Sequence, residues 1–301
     1  QVRGEKYRRS LREFTKAAWP TIEPGVEFQN NWHVDAISDH LQAVVNGDIK
    51  RLIINVPPRH MKSISVAVAL PAWTWTHQPH KKFLYASYAS SLSIRDSTKC
   101  RRLIDSLWYK RHFDSFELTS DQNQKQRFEN DKTGYRIATS VGGALTGDGG
   151  DIICIDDPHN VVESDSSKVR EGVLEWWDQA MQTRLNDPRT GAFVIIMQRV
   201  HEQDLTGHIL SNQLGDEWDH LMIPARYELG APNPMKSSLG FTDPRTKEGE
   251  LLWPERINEN TLSTLERSLG SYAASGQLQQ RPSPKGGGIL KASWWVPWES
   301  E

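Results

Sequence analysis

A lysine and a serine close the stretch Ile53-Ile54-Asn55-Val56-Pro57-Pro58-Arg59-His60-Met61-Lys62-Ser63. In a phosphate-binding loop of the pattern G-x-x-x-x-G-K-S/T, backbone N–H groups cradle phosphates, the lysine reaches their outer oxygens and the hydroxyl binds Mg²⁺. The two glycine positions of that pattern fall here on Val56 and Met61. Glycine serves there because it takes positive φ and lets the backbone approach the phosphates closely. A Pro-Pro-Arg-His-Met loop must therefore reach its shape another way. By itself the stretch reads equally as a strand that ends in a Pro-Pro turn before an ordinary helix.

A second stretch gives the first a partner. In Asp151-Ile152-Ile153-Cys154-Ile155-Asp156-Asp157-Pro158, four apolar residues deliver two adjacent carboxylates to one end of a strand. In a nucleotide hydrolase Asp156 would hold Mg²⁺, and Asp157 would position and deprotonate the attacking water. An Asp-Asp-Pro turn is the plain alternative. The two stretches together favour the nucleotide reading. A metallohydrolase is a rival, because Asp156, Asp157, His159, His201, Asp204 and His208 are all potential ligands. His201 and His208, however, lack the i, i+4 spacing of a zinc helix.

Such groups need a scaffold. Four β-branched runs, Arg51–Val56, Lys82–Ser87, Asp151–Ile155 and Ala192–Met197, alternate with helix-like stretches. Continuous apolar strands of this kind predict a buried, mostly parallel sheet with helices on both faces, which binds ligands at the carboxyl ends of its strands. Ser63 to Leu70 alternates with period two, but a phosphate loop requires a helix there for its N–H donors and dipole. A helix that ends or kinks near Pro71 is therefore expected. Ser167–Leu185 predicts another helix, with Val169, Val173, Trp177 and Ala180 on one stripe. From about Arg226 to Pro284 the strand signals fade, as in a smaller subdomain, and Lys285-Gly286-Gly287-Gly288 reads as a linker.

Composition narrows the class. The 301 residues suffice for one large domain or two modest ones, and their net charge is -2. A mean hydropathy of -0.62 and the lack of a long apolar run argue against a membrane span. The N-terminal Gln-Val-Arg-Gly-Glu-Lys-Tyr-Arg-Arg reads as no signal peptide, and Cys100 and Cys154 lack metal-ligand spacing, which fits a reduced, intracellular setting. Basic clusters occur at Lys6 to Arg12, at Lys81-Lys82 and at Arg95/Lys99/Arg101/Arg102, the last mostly on one helix face. A solvated face is the simplest reading of each. The 12 tryptophans are scattered and mark packing.

The ordered series "RLIINVPPRHMKS", "FLYASYASSLSIRDS", "GDGGDIICIDDPHN", "FVIIMQRVHEQDL", "LWPER" and "QLQQRPSPKGGGIL" resembles the large terminase subunit of tailed bacteriophages, the ATPase that drives DNA into an empty capsid. The resemblance runs from about Trp32 to Gly288. It implies an α/β P-loop NTPase of the additional-strand type: a mostly parallel central sheet flanked by helices, with a small lid subdomain. On that pattern residues 1–28 form an N-terminal helical arm, 29–225 the ATPase core, 226–285 the lid and 286–301 a linker. The linker would lead towards a nuclease domain resembling ribonuclease H. No acidic cluster follows Gly288, so nuclease activity is not expected of this chain.

Residue by residue, the resemblance implies that Pro57, Pro58, Arg59, His60, Met61, Lys62 and Ser63 wrap the phosphates of ATP, with Arg59 sensing the γ-phosphate. Ser63 and Asp156 would hold Mg²⁺, and Asp157 would be the catalytic carboxylate. Gln198 stands where a coupling motif more often has Thr. Trp32-His33 falls where the family has a base-binding segment, although a tryptophan packing an entry helix reads the same. The implied partners are double-stranded DNA, the portal protein, the small terminase subunit and further copies in a ring. The implied place is the host cytoplasm, transiently at the portal vertex, with no membrane.

Two departures stand out. The family loop usually reads Pro-Pro-Arg-His-Gly-Lys-Ser, so Met61 would carry a strain of about 1 kcal/mol or more and weaken nucleotide affinity. Asp148, between Gly147 and Gly149, stands where relatives often carry an arginine that completes a neighbour's site; Arg101, Arg102 and Arg136 are the substitutes to consider. A helicase-like ATPase acting on single strands and a nucleotide-dead DNA-binding module are the remaining alternatives.

Overall fold

All four apolar runs form strands, and they lie at the centre of an eight-stranded sheet. The computed structural model describes residues 2–143, 147–211, 218–231 and 235–284; the linker expected at 286–301 lies outside them. Helices α1 (Val2–Arg9), α2 (Leu11–Ile22) and α3 (Trp32–Asn46) precede β1 (Arg51–Asn55). A helix that starts as π turns over Ile64–Ala69 continues as α4 (Leu70–Trp75) and leads to β2 (Phe83–Ser87). Helices α5 (Ser90–Asp105) and α6 (Leu107–His112) come next, then strands β3 (Leu118–Asn123), β4 (Arg127–Asn130) and β5 (Tyr135–Ser140). The chain continues through β6 (Ile152–Asp156), α7 (Ser167–Trp176), β7 (Ala192–Met197), α8 (Leu205–Ser211), β8 (Asp219–Met222) and α9 (Glu259–Gln277).

The strand order is β3-β4-β5-β2-β6-β7-β1-β8, and every pairing from β5 to β8 is parallel. β7 lies between β1, which feeds the lysine loop, and β6, which carries the two aspartates. It is the additional strand. Alternate residues serve opposite faces: Leu52 and Ile54 pack into one apolar cluster with α3 and α4, and Ile53 into another with Phe193, Ile195 and Trp177. Both faces are thus covered, so the central strands read as unbroken apolar runs. Each such side chain contributes about 1.5–3 kcal/mol through burial.

The helix after Lys62 passes through Pro71, where an end or kink was expected. Pro71 sits in the first turn of α4, yet its missing N–H still leaves acceptors behind it unserved. The sheet supplies the donors: Arg136 Nη2 donates to Ala67 O at 3.1 Å and the Tyr85 hydroxyl to Val66 O at 2.9 Å. Those are the i−4 and i−5 carbonyls of Pro71. The helix expected over Ser167–Leu185 also differs. It turns from α to π winding at Trp177 and stops at Met181; Val173, Trp176, Trp177 and Met181 are buried, Met181 entering the stripe through the π turn, while Val169 in the α segment is 40% exposed. The wider π turn shifts the phase of the side chains.

Beyond β8 the chain packs around a small separate cluster of Ala225, Leu262 and Leu278. Arg226 ties this region together, with Glu259 and Glu266 each at 2.7 Å. α9 is broken at Gly270, whose φ of 72° is open to glycine. Among the described residues no helix is long and apolar enough to cross a membrane.

Candidate active site

The lysine loop leaves the carboxyl end of β1 and turns by taking left-handed backbone at Arg59 (φ 70°) and Met61 (φ 63°). Met61 thus occupies the conformation that glycine would favour. Its side chain is 7% exposed and packs with Trp19, Val34 and Trp253. Burial worth about 1.5–3 kcal/mol offsets a left-handed penalty of about 1–2 kcal/mol. Behind the loop, His60 Nδ1 lies 2.9 Å from Pro58 O, a brace within the turn itself. His33 stands beside it, its ring centroid 5.5 Å from that of His60 and 4.9 Å from that of Trp253. Burial above all pushes His60 down to about 4 and His33 to about 3, so both imidazoles are neutral at pH 7.

Asp156 and Asp157 end β6 beside this loop. Asp157 also takes positive φ, 43°, and its N–H donates to Ile196 O on β7 at 2.9 Å. The Lys62 ammonium donates to Asp157 Oδ1 at 2.6 Å, and the Gln198 N–H reaches the same oxygen at 3.1 Å. Asp156 is 9% exposed, and its Oδ1 has no hydrogen-bond partner among the described residues. Burial first, and then the neighbouring Asp157, push its carboxyl up to about 7, against the pull of Lys62 and the Ser63 hydroxyl. A buried carboxylate oxygen without a donor, next to a serine hydroxyl, is an arrangement that a divalent cation would complete.

A cavity of ≈ 480 Å³ opens here, within the usual range for small-molecule sites. Pro58, Arg59, Met61, Lys62 and Ser63 line it from the loop, with Asp156, Asp157 and Gln198 from the neighbouring strand ends. Pro57 and His60 are buried behind that wall. Trp32 and His33 are not brought to the cavity. Trp32 stacks on Phe241 at 6.1 Å with the Arg245 guanidinium 5.4 Å from its ring, so it packs the entry helix.

Several lining residues escape sequence reasoning. Trp19, Glu23 and Val26 arrive from α2 and the turn after it, and Arg256 from the segment before α9. No local pattern announces them, because they reach the site only through tertiary packing. Arg95, Asp96 and Lys99 of α5 also face the cavity, and here a signal existed in the Arg95/Lys99 spacing. Both are held by carboxylates, Arg95 by Asp96 at 2.8 Å and Lys99 by Glu23, although the Arg95 side chain stays 54% exposed as a solvated face would have it.

The zinc-type residues are engaged elsewhere. His159 Nε2 accepts from Leu205 N at 2.9 Å, Asp204 accepts from Arg199 Nε at 2.9 Å and Val200 N at 3.0 Å, and His208 pairs with Asp178 at 2.9 Å. Among the described residues no group of three or more His, Cys, Asp or Glu side chains is placed to hold a metal. Of the substitute arginines, Arg136 is fully buried over the Tyr85 ring, and Arg101 donates to Asn123 O at 2.7 Å. Asp148 accepts from Arg127 at 2.7 Å.

Neither a family model nor a curated protein matches the sequence. Solved structures do resemble the fold. An ATPase-domain structure of the large terminase of Thermus phage P74-26 has a TM-score of 0.51 and 12% identity, over 79% of this chain and 91% of that one. The large terminase of bacteriophage HK97 has a TM-score of 0.45 and 10% identity, over 74% of this chain and 44% of that one. This chain thus spans under half the length of the HK97 protein. The likeness to the first of these is one of fold, and the chain has the fold of a phage large-terminase ATPase domain.

Proposed function

We propose that this chain is the ATP-hydrolysing motor portion of a phage large terminase and moves double-stranded DNA into an empty capsid. The observation that carries the hydrolase reading is the convergence of Lys62, Ser63, Asp156 and Asp157 on one cavity at the carboxyl edge of the sheet, with Lys62 2.6 Å from Asp157. Without nucleotide the ammonium and the carboxylate neutralise each other. Phosphate oxygens would draw Lys62 away and free Asp157 to accept a proton. Water then attacks the terminal phosphorus. The new O–P bond forms as the bond to the bridging oxygen breaks, ADP leaves with that electron pair, and the water proton passes to Asp157. Arg59, exposed at the loop tip, would hold the outer phosphate oxygens. Mg²⁺ held by Ser63 and Asp156 would neutralise phosphate charge.

Gln198 follows β7 and touches Asp157 through its backbone, so it is positioned to pass the state of the site to the segments beyond β8. In this reading residues 226–285 act as a lid, and copies of the chain form a ring on the portal protein with the small terminase subunit as a partner. The test is ATP turnover by the chain and by Lys62→Ala, with and without duplex DNA. Turnover is expected to vanish in the variant. In the native chain DNA should stimulate it, and the stimulation should fall steeply with salt because the contacts are to phosphates. Equal turnover in both chains would overturn the hydrolase reading, and salt-insensitive stimulation would overturn the phosphate grip.

A further inference from the structure

The acidic edge of β6 is flanked on two sides. The lysine loop approaches from β1, beyond β7, while α5 approaches from β2, the other neighbour of β6. On α5, Arg95 and Asp96 form a two-pronged ion pair, with Nε donating to Oδ1 at 2.8 Å and Nη2 to Oδ2 at 3.0 Å. Asp96 is 5% exposed, a fixed anchor, whereas the Arg95 side chain is 54% exposed. Both residues line the cavity together with Lys62, Asp156 and Asp157. The fork engages Nε and Nη2. Nη1 makes no hydrogen bond among the described residues, so one edge of a rigid, permanently charged plane remains uncommitted.

The other cations of the cavity are placed differently. Lys99 is held by Glu23, the Arg256 guanidinium lies 5.2 Å from the Trp253 ring, and Arg59 belongs to the lysine loop. Arg95 alone among them is fixed by a buried carboxylate on the far side of the aspartates. A charge held in advance needs no reorganisation when negative charge builds up on a transferring phosphoryl group.

We propose that Arg95, held by Asp96, neutralises the charge that develops on the terminal phosphoryl group during hydrolysis, acting within its own chain. Arg95 gains and loses no bond or proton. Bond making, bond breaking and the proton on Asp157 stay as described above. The inference rests on the ATP-hydrolase reading and adds to it a residue which the sequence signals only as part of a basic helix face.

The test measures kcat and KM for ATP, and binding of a fluorescent ATP analogue, in the native chain, Arg95→Ala, Arg95→Lys and Asp96→Asn, with thermal melting to verify folding. Arg95→Ala is expected to lower kcat about 10³-fold while KM changes less than about fivefold. Arg95→Lys should recover part of kcat, and Asp96→Asn should lower it less than Arg95→Ala. If Arg95→Ala fails to fold because Asp96 is stranded, Arg95→Ala/Asp96→Asn removes both charges and should show the same loss of kcat. Turnover within about threefold of native, or a loss wholly in KM, overturns the proposal. Mixing Arg95→Ala with Asp157→Asn chains should restore nothing; restored turnover would place Arg95 in a neighbour's site and overturn the assignment to its own chain. A native chain that hydrolyses ATP, loses turnover in Lys62→Ala and keeps it in Arg95→Ala defeats this inference alone. A native chain without turnover defeats both.

Discussion

Along β7, six consecutive residues from Ala192 to Met197 are buried and apolar, each in regular parallel register with β1 or β6. One residue further, at Gln198, the character changes. Among the described residues the side-chain Oε1 of Gln198 and Asp156 Oδ1 are buried without a hydrogen-bond partner, and the buried Lys62 ammonium pairs with the partly exposed Asp157. Strain gathers there too. Of the five non-glycine residues with positive φ among the described residues, Arg59, Met61 and Asp157 border the cavity. The strand satisfies its local preferences up to Met197, while its carboxyl edge violates several within a few residues. Such concentrated violation is what a site maintained for chemistry looks like, because the regular sheet over-determines the positions that the strained residues must hold.

The sharpest way to separate the two regions is to remove the chemistry and leave the fold. Asp157→Asn keeps the shape and the backbone bonds to Ile196 and Tyr88 but cannot accept the proton. Turnover is expected to fall by about 10²–10⁴-fold with an unchanged melting temperature. A variant that melts well below the native chain would mean that Asp157 holds the fold through Lys62, and the edge would then be structural.

The same division decides what could be read in advance. β1, β2, β6 and β7 announce themselves because both faces are covered, which leaves uninterrupted apolar runs. β3, with the sequence Leu-Thr-Ser-Asp-Gln-Asn, and β8 carry no such pattern: β3 pairs on one side only, and β8 is four residues long with an isolated bridge from His220 to Lys236 besides its pairing to β1. At the site, Lys62, Ser63, Asp156 and Asp157 are legible since a chemical role fixes their type at a given strand end. Trp19, Val34 and Trp253, which explain Met61, are not. They are far apart in sequence, and each reads locally as an ordinary packing residue. The helix at Pro71 shows the same limit, because the donors that rescue it come from β2 and β5.

A smaller effect probes the layer beneath the edge. Unfolded imidazoles bind a proton near pH 6.5, whereas His33 and His60 resist protonation down to about 3 and about 4. Between those values the unfolded chain binds protons that the folded chain refuses. The stabilisation is therefore complete above about pH 6.5 and drains away as pH falls towards 4. Melting temperature should decline over that window. His33→Phe, which places an aromatic ring of similar girth against Trp253 with nothing to protonate, should decline less. His159, also pushed to about 4 by burial, keeps some acid sensitivity in the variant. Identical pH profiles would show that the layer under the loop opens to water before it protonates.

Met61 joins the two regions, since its backbone belongs to the strained edge and its side chain to an apolar cluster. In the interior, Ile195→Ala should cost about 2–5 kcal/mol through the cavity it leaves. Met61→Gly removes a left-handed penalty of about 1–2 kcal/mol together with burial worth about 1.5–3 kcal/mol, for a net loss of about 1 kcal/mol. Denaturant melts of the two variants should therefore differ clearly. The nucleotide-binding consequence reverses what the sequence suggests. Glycine would relieve strain in the loop, but it would also detach the loop from Trp19, Val34 and Trp253, so that the shape must be fixed anew on binding. ATP-analogue affinity should fall about threefold in Met61→Gly, in line with the lost 1 kcal/mol or less. A rise in affinity would mean that strain, and not the loss of the hydrophobic anchor, governs this loop.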